Sequence, residues 1–164
     1  MAIFDELLAA SLPTIAIQFF HVFSRFECAL KRSGRYARGD DQWVTPRWAK
    51  FAEDLGAEFL VDVKKSGLAE TLIVRPPKKQ ILLDDGQLGW TVGAPIVSTR
   101  NLIDAVCTVR NNLMHGGKYR ETGYGSPAMV EGSERDEILL RESLNVLAMA
   151  LERSPLVHEH FGRV

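Results

Sequence analysis

Arg110, Asn111, Asn112 and His115 close an apolar-periodic stretch, CTVRNNLMHGGKYRE, with a Gly-Gly pair directly after the histidine. Histidine suits proton transfer because its unperturbed pKa, about 6.5, lies near neutrality. Arginine stays charged and can donate two hydrogen bonds at once to phosphate oxygens. Asn111 can orient His115 across one turn, or bind a phosphate oxygen itself. Each residue also has a plainly structural role open to it. His115 can cap a helix C-terminus, where its charge suits the dipole, and Arg110 can form a surface ion pair. Asn111 and Asn112 can simply mark a fraying helix end.

Little else in the chain competes for chemistry. No His, Cys, Asp or Glu cluster has metal-ligand spacing, and no Gly-rich loop carries the Lys-Ser/Thr of a phosphate cradle. No Ser-His-Asp pattern can be defended. Lys31, Arg32, Arg35 and Arg38 form a basic cluster with Tyr36 between them, a composition that can hold a single strand of RNA by charge and stacking. Lys118 and Arg120 follow the histidine directly and could add to it. The same cations could equally be a solvated face, and Lys31 and Arg32 also complement a helix C-terminus. His21, amid phenylalanines, reads as a core or interface histidine, and His158 and His160 sit near a mobile end.

The elements that must position these residues are mainly helical. Ile3–Leu12 reads as a short amphipathic helix. Residues 13–33 carry Ile15, Phe19, Val22, Phe23, Phe26 and Leu30 at helical spacing, and Gly34 ends the run. Residues 34–44 read as a loop. Thr45-Pro46 has the form of a helix start, with a helix to about residue 66 and a stop at Gly67. The segment 68–97 contains Pro-Pro, Asp-Asp-Gly and short β-prone runs, so QILLDDGQLGW suggests a hairpin or ordered loop inserted into a helical domain. Ser98 caps a helix over 99–115, and Ser133 opens a last long helix to about Arg153, with Pro155 breaking it before a short tail helix. Four long helices suggest a bundle.

On a wheel of the 99–115 helix, Leu102, Val106, Val109 and Leu113 share the core face, and Asn111 and His115 lie roughly opposite. Ile103, Cys107 and Met114 form a second apolar strip beside Arg110, which offers a surface for a partner.

The stretch RNNLMHGG resembles the signature of HEPN-domain proteins. That motif is Arg, four to six residues, then His at a helix end, often with a polar residue directly after the Arg. Arg110, Asn111 and His115 match it, and RFECALKRSGRY resembles a HEPN opening, with Glu27 as an acidic neighbour of the motif. Arg153 and His158 have the same spacing, but Pro155 interrupts any shared helix, and neither the polar residue nor the glycine is present.

The resemblance implies an all-α fold: a four- to five-helix bundle with a short β-hairpin or loop insertion around 70–97, as one domain over 1–164. It implies a metal-independent endoribonuclease without cofactors, with Arg110, His115 and Asn111 catalytic and Glu27 and Asn112 in support. Such cleavage needs a base for the 2′-hydroxyl, an acid for the leaving oxygen and a cation for the phosphorane. One His is short of the usual acid–base pair, and the family's habit of homodimerisation would bring two motifs to one phosphate. The products expected are a 2′,3′-cyclic phosphate and a 5′-hydroxyl. The setting implied is toxin–antitoxin or phage defence, with an antitoxin such as a minimal nucleotidyltransferase as a possible partner. A non-catalytic RNA- or nucleotide-binding module of the same fold is an alternative, and so is an unrelated helical dimerisation protein.

Composition is compatible with this. The chain has 164 residues, is 46% hydrophobic and carries a net charge of −1, so it can bury one core but has no global basic field. An RNA would have to be held by a local patch. Cys28 and Cys107 read as free thiols of a reducing compartment. The start MAIFDELLAASLP lacks a basic n-region and no apolar run approaches a membrane span, so a cytoplasmic protein is expected.

Overall fold

The structure is a computed structural model that describes residues 13–40, 43–114 and 134–163. Among the described residues seven helices and two small antiparallel hairpins follow one another: α1 Thr14–Arg32, β1 Ala37–Asp40, β2 Trp43–Pro46, α2 Trp48–Leu55, α3 Ala57–Ser66, α4 Glu70–Val74, β3 Gln80–Leu82, β4 Leu88–Trp90, α5 Thr99–Met114, α6 Glu134–Arg153 and α7 Pro155–Phe161. The fold is mostly helical, as expected. The Ile3–Leu12 helix lies outside the described residues.

α1 forms because Ala16, Phe19, Phe23, Phe26 and Leu30 recur every three or four residues and all are buried. Lys31 and Arg32 complement its C-terminal dipole. α1 packs on α6 and α7, while α2 packs on α5. One apolar core joins them, in which Phe19, Phe26, Phe51, Phe59, Leu102 and Leu147 are fully buried. Among the described residues no helix is long and apolar enough to cross a membrane.

The region between α1 and α4 differs from expectation in three ways. Residues 37–40 and 43–46 pair as antiparallel strands where a loop was expected, with Ala37 opposite Pro46 and Arg38 opposite Thr45. Thr45 and Pro46 therefore belong to a strand and do not start a helix. Pairing continues past them, because the Arg47 N–H donates to the Tyr36 carbonyl at 2.8 Å. Pro46, which has no N–H to give, sits at the strand's end, where none is needed. The third difference is a break at Gly56, whose φ of +78° no helix can accommodate. It splits the expected 46–66 helix into α2 and α3, with Leu55 and Phe59 buried on either side of the break. The Thr99 hydroxyl, at the start of α5, donates to the Gly56 carbonyl at 2.6 Å, beside the Phe59 N–H at 3.3 Å.

The second hairpin falls where the sequence suggested, over 80–90, with Ile81 opposite Gly89. The insertion is narrower than 70–97, however. Residues 70–74 are helical, Leu72 is fully buried, and Ile96 is buried as well, so both flanks belong to the core. Glu142 of α6 fixes α4 by accepting hydrogen bonds from the Thr71 and Leu72 N–H groups at 3.0 and 2.5 Å. Ser98 caps α5 as expected, its hydroxyl accepting the Asn101 N–H at 3.1 Å. α6 and α7 also match the sequence pattern, with Pro155 at the first position of α7.

Ser143, in the middle of α6, is 0% exposed, and its hydroxyl has no hydrogen-bond partner among the described residues. A buried hydroxyl without a partner costs its desolvation, and alanine keeps nearly the same shape. Ser143→Ala is therefore expected to stabilise the fold by about 1 kcal/mol, read as a higher urea midpoint at unchanged slope. A lower midpoint would mean that the hydroxyl is bonded after all.

Candidate functional site

Arg110 lies in the last turn and a half of α5, and α1 holds it from two sides. Its Nη2 approaches Glu27 Oε2 at 3.4 Å, across 83 residues of sequence, and its Cζ stands 5.5 Å from the centre of the Phe23 ring. Phe23 and Glu27 are one turn apart on α1, so a single helix face supplies both an apolar floor and a counter-charge. Arg110 Nη1 donates to Asn111 Oδ1 at 2.9 Å. The remaining guanidinium N–H groups make no hydrogen bond among the described residues. The side chain is 33% exposed, so the cation is anchored but still reachable.

Glu27 is itself positioned. The Trp48 indole N–H donates to Glu27 Oε1 at 3.3 Å, and Trp48 packs on Phe23 and stacks on Phe26 with centroids 5.1 and 5.5 Å apart. α2 thus braces the carboxylate through its first residue. Sequence reasoning missed Phe23 and Trp48 as parts of this arrangement. The i, i+4 spacing of Phe23 and Glu27 was a usable signal; the approach of Trp48 was not visible.

The other expected site residues divide. Asn111 is exposed beside Arg110. Asn112 points elsewhere: its amide donates to the Lys78 carbonyl at 2.8 Å, tying the arm before the second hairpin to the end of α5. His115, Lys118 and Arg120 lie outside the described residues, and His115 directly follows Met114, the last residue of α5. Lys31 is half-buried and Arg32 exposed.

Tyr36 is a correction. It is 5% exposed, packs edge-on against Phe51 and donates its hydroxyl to Asp54 at 3.1 Å, so it cannot stack on a base. Burial first, and the bond to Asp54 second, push its phenol up from the ordinary value. Arg35 is likewise engaged, with Nε 2.6 Å from Asp54 Oδ2. The sequence could not tell an inward tyrosine from an outward one in a segment taken as a loop. The aromatic that does face solvent there is Trp43, 79% exposed.

The second apolar strip of α5 also turns inward. Ile103 is fully buried, and Cys107 is packed against the core. Burial, with Asp104 and Glu27 adding to it, pushes the Cys107 thiol up to about 12. Only Met114 of that strip is well exposed, so Ile103 and Cys107 offer no surface to a partner. His21 is exposed on α1 instead of lying in the core. It lines a shallow groove with Arg25 and Phe161, on the side of α1 turned away from Phe23 and Glu27. His158 and His160 belong to α7, whose Val157 is buried. Among the described residues no group of three His, Cys, Asp or Glu side chains is placed to hold a metal ion.

Asp54 ties the first hairpin to α2 by accepting from Arg35, Lys50 and Tyr36. The Arg35 hydrogen bond, followed by that from Lys50, holds the carboxyl well below the usual carboxylate range. A group with a depressed folded pKa stabilises above its unfolded pKa, about 3.9 for Asp, and that stabilisation fades as pH falls toward the folded value. Asp54→Asn is expected to lower stability at pH 7, with the gap from wild type closing below about pH 4. A gap independent of pH would show that the carboxylate charge contributes nothing.

No family model matches this chain, and the searches of curated proteins and of solved structures gave no match either.

Proposed function

We propose that this chain is a metal-independent endoribonuclease of the HEPN type, cleaving RNA by attack of the 2′-hydroxyl on the adjacent phosphate. The observation that supports it most is the anchoring of Arg110. A cation at the end of α5 is held at the surface by Glu27 and Phe23 of α1, with Asn111 beside it, and in the sequence His115 follows Met114 directly. In this reading the guanidinium binds the non-bridging phosphate oxygens and stabilises the phosphorane. His115 moves the proton, and Asn111 orients it or the phosphate. Glu27 and Trp48 touch no substrate; they position Arg110.

The HEPN-like bundle and a single domain over the whole chain are part of the same proposal. So is a homodimer with two motifs facing one phosphate, which would supply both a base and an acid. Its contact would fall at the α5 end, near exposed Met114, since Ile103 and Cys107 lie within the fold. A toxin–antitoxin or phage-defence role in the cytoplasm, with an antitoxin such as a minimal nucleotidyltransferase, completes the reading.

The experiment is cleavage of total RNA in EDTA by wild type and His115→Ala, with the product ends identified. Cutting by wild type alone, with 2′,3′-cyclic phosphate and 5′-hydroxyl ends, is expected. Magnesium-dependent products with 5′-phosphates would sink the mechanism. Tight RNA binding without turnover would make the chain a binding module.

A further inference from the structure

We propose that the β1–β2 hairpin is a docking surface for single-stranded RNA, with Trp43 as the platform on which a base stacks. The inference rests on RNA being the ligand of the Arg110 site, and it adds a second place where that ligand is held.

Trp43 is 79% exposed, an unusual position for the largest apolar side chain, whereas Trp48 is half-buried and packed. The platform is fixed at its base. The Arg47 N–H bonds the Tyr36 carbonyl, the buried Tyr36 bonds Asp54, and α1 packs against both strands. Charge is concentrated around it. Residues 31–47 hold five Lys or Arg and two Asp, a net +3 in a chain whose total is −1. Arg35 is engaged by Asp54, and Arg32 and Arg47 are exposed. Asp40 is the residue directly opposite Trp43, and Arg38, opposite Thr45, lies diagonally across the strands from it on the same face, within reach of a long side chain.

A protein partner fits this surface less well. Successive strand residues point to opposite faces, so Trp43 and Val44 cannot form one apolar patch. One exposed aromatic ring in a segment of net positive charge matches a base flanked by phosphates, because every base has a face to stack and the backbone supplies the charge. The hairpin also leads toward the candidate site. Trp43 is five residues from Trp48, which bonds Glu27, so its backbone lies at most about 18 Å from that of Trp48.

The test is fluorescence anisotropy with a labelled mixed-sequence 2′-O-methyl 12-mer, single-stranded or annealed to its complement. The methyl group blocks attack by the 2′-oxygen, so binding is read without cleavage. Trp43→Ala is expected to weaken single-strand binding about tenfold or more, and Trp43→Phe to recover most of it. Duplex affinity should not respond to either change, because its bases are already stacked. Unchanged single-strand affinity in Trp43→Ala overturns the proposal, as does an equal loss on both probes. It is also overturned if that variant alters only self-association in sedimentation, which would make the face a protein contact. Cleavage of total RNA, run in parallel, separates the two readings. Arg110-dependent cutting with Trp43-independent binding removes the docking surface and leaves the nuclease. Trp43-dependent binding without any cutting keeps the docking surface and removes the nuclease.

Discussion

Arg110→Ala is expected to lower single-turnover RNA cleavage by about 10²–10³-fold, the usual effect of removing one preorganised donor to a developing oxyanion. The fold should survive, because an ion pair this exposed contributes only about 0.2–1 kcal/mol. Arg110→Lys should fall between the two, since an ammonium keeps the charge but not the paired donors of a guanidinium. Glu27→Gln is the informative companion. It removes the carboxylate charge and keeps one acceptor oxygen, which can serve Arg110 Nη2 or Trp48 Nε1 but not both, so the shape is kept and the positioning only in part. A small change for Glu27→Gln beside a large one for Arg110→Ala fits a chemical role for the arginine and a positioning role for the glutamate. Equal small changes would return Arg110 to an ordinary surface ion pair.

The second large effect is expected in the core beneath the site. Phe26 is fully buried, stacks on Trp48 at an interplanar angle of 18°, and meets Phe51 and Phe161 edge-on. Phe26→Ala removes one ring from four and leaves a cavity where the neighbours are rings already fixed by each other, so collapse is limited. A loss of about 3–5 kcal/mol is expected, a large share of a typical folding free energy of about 5–15 kcal/mol. In a chain of this size that lowers Tm by roughly 6–20 °C. Phe26→Leu, which refills part of the volume, should cost much less. The consequence reaches function because Trp48 loses its stacking partner, and Trp48 braces Glu27. Below the transition, Phe26→Ala should therefore also slow cleavage, while a distant core change of similar cost should not. A midpoint shift worth under 1 kcal/mol would mean that the aromatic cluster does not pack as described.

These two experiments concern one unit. The site is a surface cation whose placement depends on α1, α2 and α5 together, and α1 and α2 also supply most of the aromatic cluster, which Phe161 of α7 completes. Stability and site geometry are coupled there for a plain reason: the floor under Arg110, Phe23, is itself a core side chain, 3% exposed.

The sequence by itself determined the long helices and the punctuation between them. Phe19, Phe23, Phe26 and Leu30 recur at helical spacing, and a buried stripe at that period has few other ways to form. Ser98 and Pro155 mark helix starts by local chemistry, a hydroxyl acceptor and a missing N–H, which any surroundings would respect. Only the tertiary structure decided which neighbour each face meets. Ile103 and Met114 sit on one strip of α5, yet one is buried and the other exposed, because the strip's depth depends on where α1 and α2 pack. Tyr36 and Trp43 are both aromatics in a short hairpin, and Asp54, on another element, turns the first inward. Gly56 reads as an ordinary helical residue in the sequence, yet its φ of +78° breaks the helix there. The pairing of Glu27 with Arg110 spans 83 residues, and no local period encodes it. Periodicity reports which side of an element is apolar; long-range packing chooses what that side touches, and the candidate site is built from those choices.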